Sequence, residues 1–354
     1  METIAARMQK TIVAIAGAAV LLAAGVCAAQ ETLSVGGLSG GIWAESFRNG
    51  LITPFGQQFK VQTKSEEGIS AVVLAKLRQQ KGNPQFDVVF MDRGVSDLAI
   101  REGLVEPISA SVQTSSPDVI PEAFIKNSKG EITAVALTYW GAGLAYNEKQ
   151  IKDPPASWLD LKSPAYKGKL AVYSPENSIA IPMLVVLSQL QGGSPSNMDP
   201  AFNMMKSLSQ EGTVFFAGSP AGANLLANGE AQVAVLASTN VWELQAKGLP
   251  IKFVVPKEGV IGQDIRMHVV TGTKNKALAE KFVAYAISKT PQEEISKRLY
   301  TAPVNTKVQL APDVDAKLPW GPHGSIKNLR LVDGNVILDN REAWIARWNK
   351  EVAK

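Results

Sequence analysis

Residues 131–147, EITAVALTYWGAGLAYN, constrain the fold more than any other part of the sequence. They begin with the alternating, β-rich pattern of a half-buried strand. Tyr139 and Trp140 then precede a Gly-Ala-Gly segment, and a second apolar run ends at Asn147. The pattern predicts two strands with a glycine bend between them, where the chain passes from one lobe to another and the aromatic pair faces the space between. A core strand followed by an ordinary glycine turn is the alternative.

The first 29 residues have the pattern of a secretory signal peptide. Arg7 and Lys10 precede the apolar run 11–26, and small residues at Ala28 and Ala29 offer a cleavage site after either one. A membrane anchor and a lipoprotein at Cys27 are the alternatives. Cys27 is the only cysteine, so we expect an exported, periplasmic protein that core burial stabilises without disulfides.

Charge and length narrow the class of protein. The 354 residues carry 36 Lys and Arg against 32 Asp and Glu, a formal charge of +4. This excess is too small and too dispersed to indicate a nucleic-acid partner. The length is typical of about two domains.

The order of predicted elements indicates the α/β class. Strands and helices alternate between residues 32 and 102 and again between residues 170 and 255, which predicts two parallel α/β units. We expect lobe 1 to comprise 30–136 and 260–310, and lobe 2 to comprise 137–259. The remaining segment, 311–354, is predicted to be helical and to pack across both lobes.

Ligands of such sheets lie beyond the carboxyl ends of the strands, and the predicted site follows from that rule. Aromatic side chains at the rims suit stacking on an apolar or cationic ligand, and Arg266 is the candidate partner of an acidic group. Packing in a core, or pairing in a salt bridge, is the alternative for each of these residues. The candidate ligand-binding residues are Ser39, Gly40, Trp43, Asp92, Arg93, Tyr139, Trp140, Ser174, Asn177, Ser238, Asn240, Asp264 and Arg266.

Catalysis and metal binding receive little support. Residues 37–41 match G-x-S-x-G, so a hydrolase using Ser39 is an alternative, but it needs a histidine and an acid. Only His268 and His323 occur. The more favoured use of the turn is its backbone amides, which can hold an oxygen of a ligand. We therefore predict no enzyme activity, no metal and no cofactor.

Five segments, in order, resemble the extracellular solute-binding proteins of ABC importers, especially the spermidine- and putrescine-binding group. The segments are SWLDL (157–161), YKGKL (166–170), GEAQVAVL (229–236), VVPKEG (254–259) and TKNKALAEKFVAYAIS (273–288). The resemblance implies a type II periplasmic binding fold, with two α/β lobes, hinge crossings and a ligand cleft between them. It also implies a monomer that delivers a small molecule to an inner-membrane ABC permease; a chemoreceptor partner is an alternative.

This sequence differs from the polyamine-binding group at positions that bear on the identity of the ligand. Glu176 stands alone where polyamine binders usually supply two carboxylates, and Ala237 stands where an aromatic residue is expected. Iron-binding relatives use a Tyr-Tyr pair, which this sequence lacks. We expect a small charged organic ligand with at least one acidic group, with or without an amine. A pure polyamine is the alternative.

Overall fold

A computed structural model describes residues 31–321 and 324–353. The predicted signal peptide, 1–29, lies outside these residues. No helix in the described part of the chain has the length and apolar character needed to cross a bilayer.

Thirteen strands form one mixed sheet. They are β1 (Thr32–Leu38), β2 (Gln62–Glu67), β3 (Val88–Asp92), β4 (Val105–Glu106), β5 (Phe124–Lys126), β6 (Ile132–Asn147), β7 (Leu170–Tyr173), β8 (Val214–Phe216), β9 (Val233–Ala237), β10 (Ile251–Val254), β11 (Val260–Val270), β12 (Ala302–Pro303) and β13 (Leu329–Arg330).

Helices cover the sheet. The α-helices are α1 (Gly41–Phe47), α2 (Thr53–Phe59), α3 (Ser70–Gln79), α4 (Arg93–Arg101), α5 (Ala110–Thr114), α6 (Ala180–Leu190), α7 (Asp199–Gln210), α8 (Ser219–Ala227), α9 (Ser238–Ala246), α10 (Lys276–Ala286), α11 (Lys289–Leu299), α12 (Pro312–Asp315) and α13 (Gly334–Glu351). A π-helical segment, Arg48–Ile52, joins α1 to α2, and short 3-10 segments lie at Pro121–Ala123, Trp158–Lys162, Pro164–Tyr166 and Ile326–Asn328.

The sheet order is β2-β1-β3-β11-β6-β9-β7-β8. Strands within β2-β1-β3 and within β9-β7-β8 are parallel, whereas β11 and β6 pair with each other and with their outer neighbours antiparallel. The predicted α/β class is therefore confirmed, and its two parallel groups are joined by a pair of long antiparallel strands.

The bend predicted inside 131–147 is wrong, because β6 is one continuous strand of 16 residues. Its two glycines serve close approach. A Cβ on Gly141 would lie 3.0 Å from the carbonyl oxygen of Ile261, and one on Gly143 would lie 2.6 Å from that of Val254. Neighbouring backbones thus reach the crossing strand because it lacks side chains there.

The turn that contains the G-x-S-x-G match, 37–41, is shorter than the match itself. Gly36 and Gly37 belong to β1, and only Ser39 and Gly40 separate it from α1. Gly37 has φ 89°, and a Cβ there would lie 2.2 Å from the carbonyl oxygen of Phe90. The sequence therefore needs glycine here for strand packing.

The second crossing strand is β11. It begins at Val260 and runs without interruption to Val270. All eleven of its residues are buried, because it lies between β3 and β6 in the middle of the sheet.

Two main hydrophobic cores flank the crossing strands. The first contains residues from β1, β3, α10 and α11, and the second contains residues from β7, β9, α6 and α7. Trp344 and Trp348 of α13 pack into the second core, while Arg101 of α4 forms an ion pair with Asp339 of α13 at 3.0 Å. The residue limits of the two lobes stay a prediction.

Candidate functional site

A cleft of about 480 Å³ lies beside the crossing strands, between the two parallel groups of the sheet. One wall consists of residues from the β1–α1 turn, α1, the end of β3 and the middle of β6; the other consists of residues from the start of α8 and from the first turns of α9. The lining residues are Ser39, Gly40, Gly41, Ile42, Trp43, Ile69, Asp92, Trp140, Ser178, Ser219, Pro220, Ala237, Thr239, Asn240, Glu243 and Ile265.

Two tryptophans lie together at the cleft. The ring centroids of Trp43, on α1, and Trp140, on β6, are 6.4 Å apart in an edge-to-face arrangement. Trp43 also packs edge-to-face on Phe47, at 6.0 Å. Both tryptophans are half-buried, so part of each ring is available to a ligand. Aromatic faces so placed attract a cation or an apolar chain.

Asp92, at the end of β3, is the carboxylate of the first wall. Ser70 supports it, because the Ser70 hydroxyl donates to Asp92 Oδ2 at 3.0 Å and accepts from the Asp92 N–H at 2.9 Å. Burial, opposed by the Ser70 hydrogen bond and reinforced by the charge of Asp264, raises the pKa of this carboxyl. A bound cation would offset that cost.

Arg93 follows Asp92 directly but pairs elsewhere. Its Nε and Nη2 both donate at 3.1 Å to the Asp264 carboxylate, which is fully buried. Arg266 also donates to Asp264, at 3.2 Å, to Ser96 Oγ at 3.2 Å, and to Asp97. Two arginines and two aspartates therefore form a charge-balanced buried network, which leaves Asp92 as the neighbouring carboxylate without an arginine partner.

This network corrects the predicted role of Arg266. Its side chain is only 3% exposed and already meets two carboxylates, so it is not placed to bind an acidic ligand. Asp264 is likewise fully buried. Arg93 is 15% exposed and committed to Asp264, and it does not line the cleft. The alternative given for Arg266, a salt bridge to a carboxylate of the protein, agrees with its contacts to Asp97 and Asp264, whereas Arg93 pairs with Asp264 and not with its neighbour Asp92.

Tyr139, which was predicted to bind the ligand, lies in the core instead of at the cleft. Its ring is fully buried in the first core, and its hydroxyl donates to the carbonyl oxygen of Glu122 at 3.1 Å. Side chains alternate along a strand, so Trp140 faces the cleft when Tyr139 faces the core. Burial raises the pKa of the Tyr139 phenol.

The second wall is lined mainly by neighbours of the predicted residues rather than by those residues themselves. Asn177 is engaged locally, because its Nδ2 donates to the Ala217 carbonyl at 2.8 Å and its Oδ1 accepts from the Ile179 N–H at 3.0 Å. The Ser174 hydroxyl hydrogen-bonds Glu176 and lowers the pKa of that carboxyl. Ser238 is 1% exposed. None of the three lines the cleft, whereas Asn240 does.

Tyr173 positions two of the residues that do line this wall. Its buried hydroxyl lies 2.7 Å from Ser219 Oγ and accepts from the Ala237 N–H at 3.3 Å. Burial raises the pKa of Tyr173 to about 12, so the phenol keeps its proton at neutral pH. The proton lets one hydroxyl both donate and accept.

Sequence reasoning missed several lining residues. Ile42 and Ile69 are 46% and 59% exposed although apolar, and each lies at the start of a helix. Glu243 lies one turn into α9, after Thr239. Helical periodicity could have placed Thr239 and Glu243 on one face, four residues apart. No local signal distinguishes Ile42 or Ile69 from core residues.

Among the described residues that line the cleft there is no histidine, which the serine-hydrolase alternative needs as its base. Ser39 lines the cleft, but His268 is fully buried in β11, three residues beyond the cleft residue Ile265 and thus about 10 Å further along the strand. Among residues 31–321 and 324–353, no group of three His, Cys, Asp or Glu side chains could hold a metal ion.

Solved structures share this fold. An ABC transporter structure from Clostridium perfringens has a TM-score of 0.78 and 23% identity, with 91% of this chain and all of that chain covered. Such neighbours are two-lobed periplasmic binding proteins, which defines the class of this fold. Residues 83–328 match the model of the family described as bacterial extracellular solute-binding protein, and the chain belongs to that family.

Two relatives add chemical context. A protein of Pseudomonas aeruginosa named as a gamma-aminobutyric acid-binding protein is 25% identical over 329 residues, 89% of each chain. A Salmonella typhimurium protein, provisionally named as a 2-aminoethylphosphonate-binding periplasmic protein, is 26% identical over 258 residues, 68% of this chain and 69% of its own.

Proposed function

We propose that this protein is the periplasmic binding component of an ABC importer and that its cleft captures a small solute carrying an ammonium group. The single observation that carries the ligand proposal is Asp92, a carboxylate held by Ser70 at the cleft beside Trp43 and Trp140. Binding followed by delivery to a membrane permease, without catalysis, accords with the family.

Asp92 favours a cationic group for an electrostatic reason. Arg93, the next residue in the chain, pairs with Asp264, and Arg266, on the neighbouring strand β11, pairs with Asp264 and Asp97. A desolvated carboxylate without a cation partner is costly, and a ligand ammonium supplies that partner. The tryptophan faces add attraction for the same charge.

The opposite wall suits the neutral part of a polar ligand. Ser219, Thr239 and Asn240 offer hydroxyl and amide groups that can donate and accept. Both relatives with named ligands are named for molecules that carry an amine and an acidic group. These names support an amino acid-like solute over the pure polyamine that the first resemblance suggested.

Calorimetry with the Asp92→Asn variant tests the ammonium contact. We expect putrescine, 4-aminobutyrate and 2-aminoethylphosphonate to lose at least about 10-fold in affinity, because a hydrogen bond to a charged group typically contributes 1.5–3 kcal/mol. Asp313→Asn, an exposed aspartate remote from the cleft lining, is the control. If butyrate, which lacks the amine, binds as tightly as 4-aminobutyrate, amine recognition is wrong.

Export and closure are further parts of the proposal. N-terminal sequencing of the periplasmic form should give Ala29 or Gln30 as the first residue; Met1 there would contradict cleavage.

Hinge motion about β6 and β11 should reduce the radius of gyration in solution scattering when a ligand binds. Tight binding with an unchanged scattering profile would indicate a rigid cleft.

A further inference from the structure

A second cavity of about 510 Å³ adjoins the cleft and shares Ile42, Thr239 and Glu243 with it. Four separate parts of the chain build it: α1, α9, the end of α11 with the residue that follows it, and the segment after α12. Its other polar and aromatic lining includes Trp242, Gln245, Arg298, Tyr300 and Lys317. The cavity thus continues the cleft along the face of α9.

Lys317 is fixed within this cavity. Its ammonium lies 4.5 Å from the centroid of the Tyr300 ring and 3.4 Å from the Tyr300 hydroxyl. Its carbonyl oxygen accepts from Trp242 Nε1 at 2.9 Å. Across residues 31–321 and 324–353, no carboxylate lies within 4.0 Å of this ammonium.

Arg298 adds a second cation to the same cavity. Its Nε lies 3.6 Å from Glu294 one helical turn earlier, and 38% of its side chain is exposed. A guanidinium has five N–H donors, so this one pair leaves donors for a further acceptor. Glu243 also lines the cavity, which gives two cations and one carboxylate at its surface.

The cleft and the second cavity therefore differ in charge. Asp92 lies in the cleft, where Arg93 and Arg266 are already paired, and Lys317 and Arg298 line only the adjoining cavity; Glu243 lines both. Among the described residues that line the cleft none is a lysine or arginine, so the cations available to an acidic group of a ligand held at Asp92 are those of the adjoining cavity.

We infer that the cavity formed by Trp242, Arg298, Tyr300 and Lys317 is a subsite for an acidic group, a carboxylate or phosphonate, of a solute whose ammonium lies at Asp92. This inference rests on the proposed function and adds where the acid binds. The cavity takes the role that the sequence prediction gave to Arg266, because Arg266 is already paired within the buried network.

A series of ω-amino acids with two to seven methylene groups, each paired with the diamine of equal length, tests the subsite by calorimetry. Lys317→Met should weaken the acids long enough to reach it by about 10-fold or more, because a charge-assisted hydrogen bond is lost, and should leave the diamines unchanged. Lys317→Arg should restore affinity. Lys274→Met, on an exposed turn, is the matched control.

Three outcomes would overturn the subsite. The first is equal affinity of the acids for the wild type and for Lys317→Met. The second is a loss of diamine affinity in Lys317→Met as large as the loss of acid affinity. The third is that no acid binds to the wild type. If diamines depend on Asp92 while no acid depends on Lys317, the proposed function stands and the subsite fails. If acids depend on Lys317 while no amine depends on Asp92, the ammonium assignment fails instead. Thermal unfolding of each variant separates misfolding from lost contact.

Discussion

His268 should make the stability of this protein depend on pH. It lies fully buried in β11, and burial together with the charge of Arg266 lowers its pKa to about 3, although the Thr133 carbonyl opposes this. The ring is therefore neutral in the folded state, with Nδ1–H donating to the Thr133 oxygen at 3.0 Å. Nε2 is buried with no hydrogen-bond partner among the described residues, so protonation there would bury an unpaired charge.

The direction and size of the effect follow from linkage. The unfolded chain binds a proton near the ordinary histidine pKa of 6.5, whereas the folded chain does not bind it until far lower pH. The histidine's share of the stability is therefore complete above pH 6.5 and is lost as the pH falls towards the folded value. At pH 5 the loss is about 2 kcal/mol, from about 1.4 kcal/mol for each pH unit below the unfolded pKa.

Urea unfolding of the wild type and His268→Asn at pH 7.5, 6.0 and 5.0 measures this loss. The variant should be less stable at pH 7.5, because a smaller side chain leaves a cavity, and the difference should shrink by about 2 kcal/mol at pH 5. Val269→Ala, a neighbouring buried truncation without a titratable group, should keep a constant deficit. A deficit in His268→Asn that is equal at pH 7.5 and pH 5 would refute the reasoning.

Two further changes test the buried network and the crossing strand by denaturant unfolding. Asp264→Asn should lower the free energy of unfolding by about 3–5 kcal/mol, because Arg266, which is buried, and Arg93, which is mostly buried, lose their shared carboxylate. The exposed ion-pair change Asp339→Asn should lower it by at most about 1 kcal/mol, and equal losses would contradict the network. Gly143→Ala should cost about 1–3 kcal/mol because its Cβ would lie 2.6 Å from the Val254 carbonyl. Gly94→Ala, which meets nothing within 4 Å in a helix, should be neutral or stabilising, and similar losses at both glycines would argue against steric exclusion.

The arrangement of charge in this protein has a consequence for specificity. Because Asp264 holds both Arg93 and Arg266, neither arginine can neutralise Asp92 without breaking a buried pair. The cleft consequently presents a carboxylate, and the ammonium preference proposed above depends on a network whose members do not line the cleft. A buried aspartate in the core, Asp264, thus keeps both arginines away from Asp92 in the cleft.

The sequence alone was sufficient for the class of fold. Alternating strand and helix patterns predicted the parallel units, and the apolar run with Tyr139 and Trp140 predicted a chain crossing beside the cleft. The inference of the parallel units succeeds because hydrophobic periodicity reports local burial directly. The Gly-Ala-Gly segment was misread as a bend, because a glycine required for close approach and a glycine required for a turn look the same in sequence.

Tertiary structure alone decided which charged residues face the cleft. Arg93 and Asp264 are separated by 171 residues and Arg266 and Asp97 by 169, so no local pattern could show that they pair. The register of β11 against β3 and β6 places Ile265 beside Asp92 and Asp264 beside Tyr139, and side-chain alternation then directs Asp264 inward. The sequence shows which chemical group each residue carries, but the partner of that group and its exposure depend on contacts between distant strands.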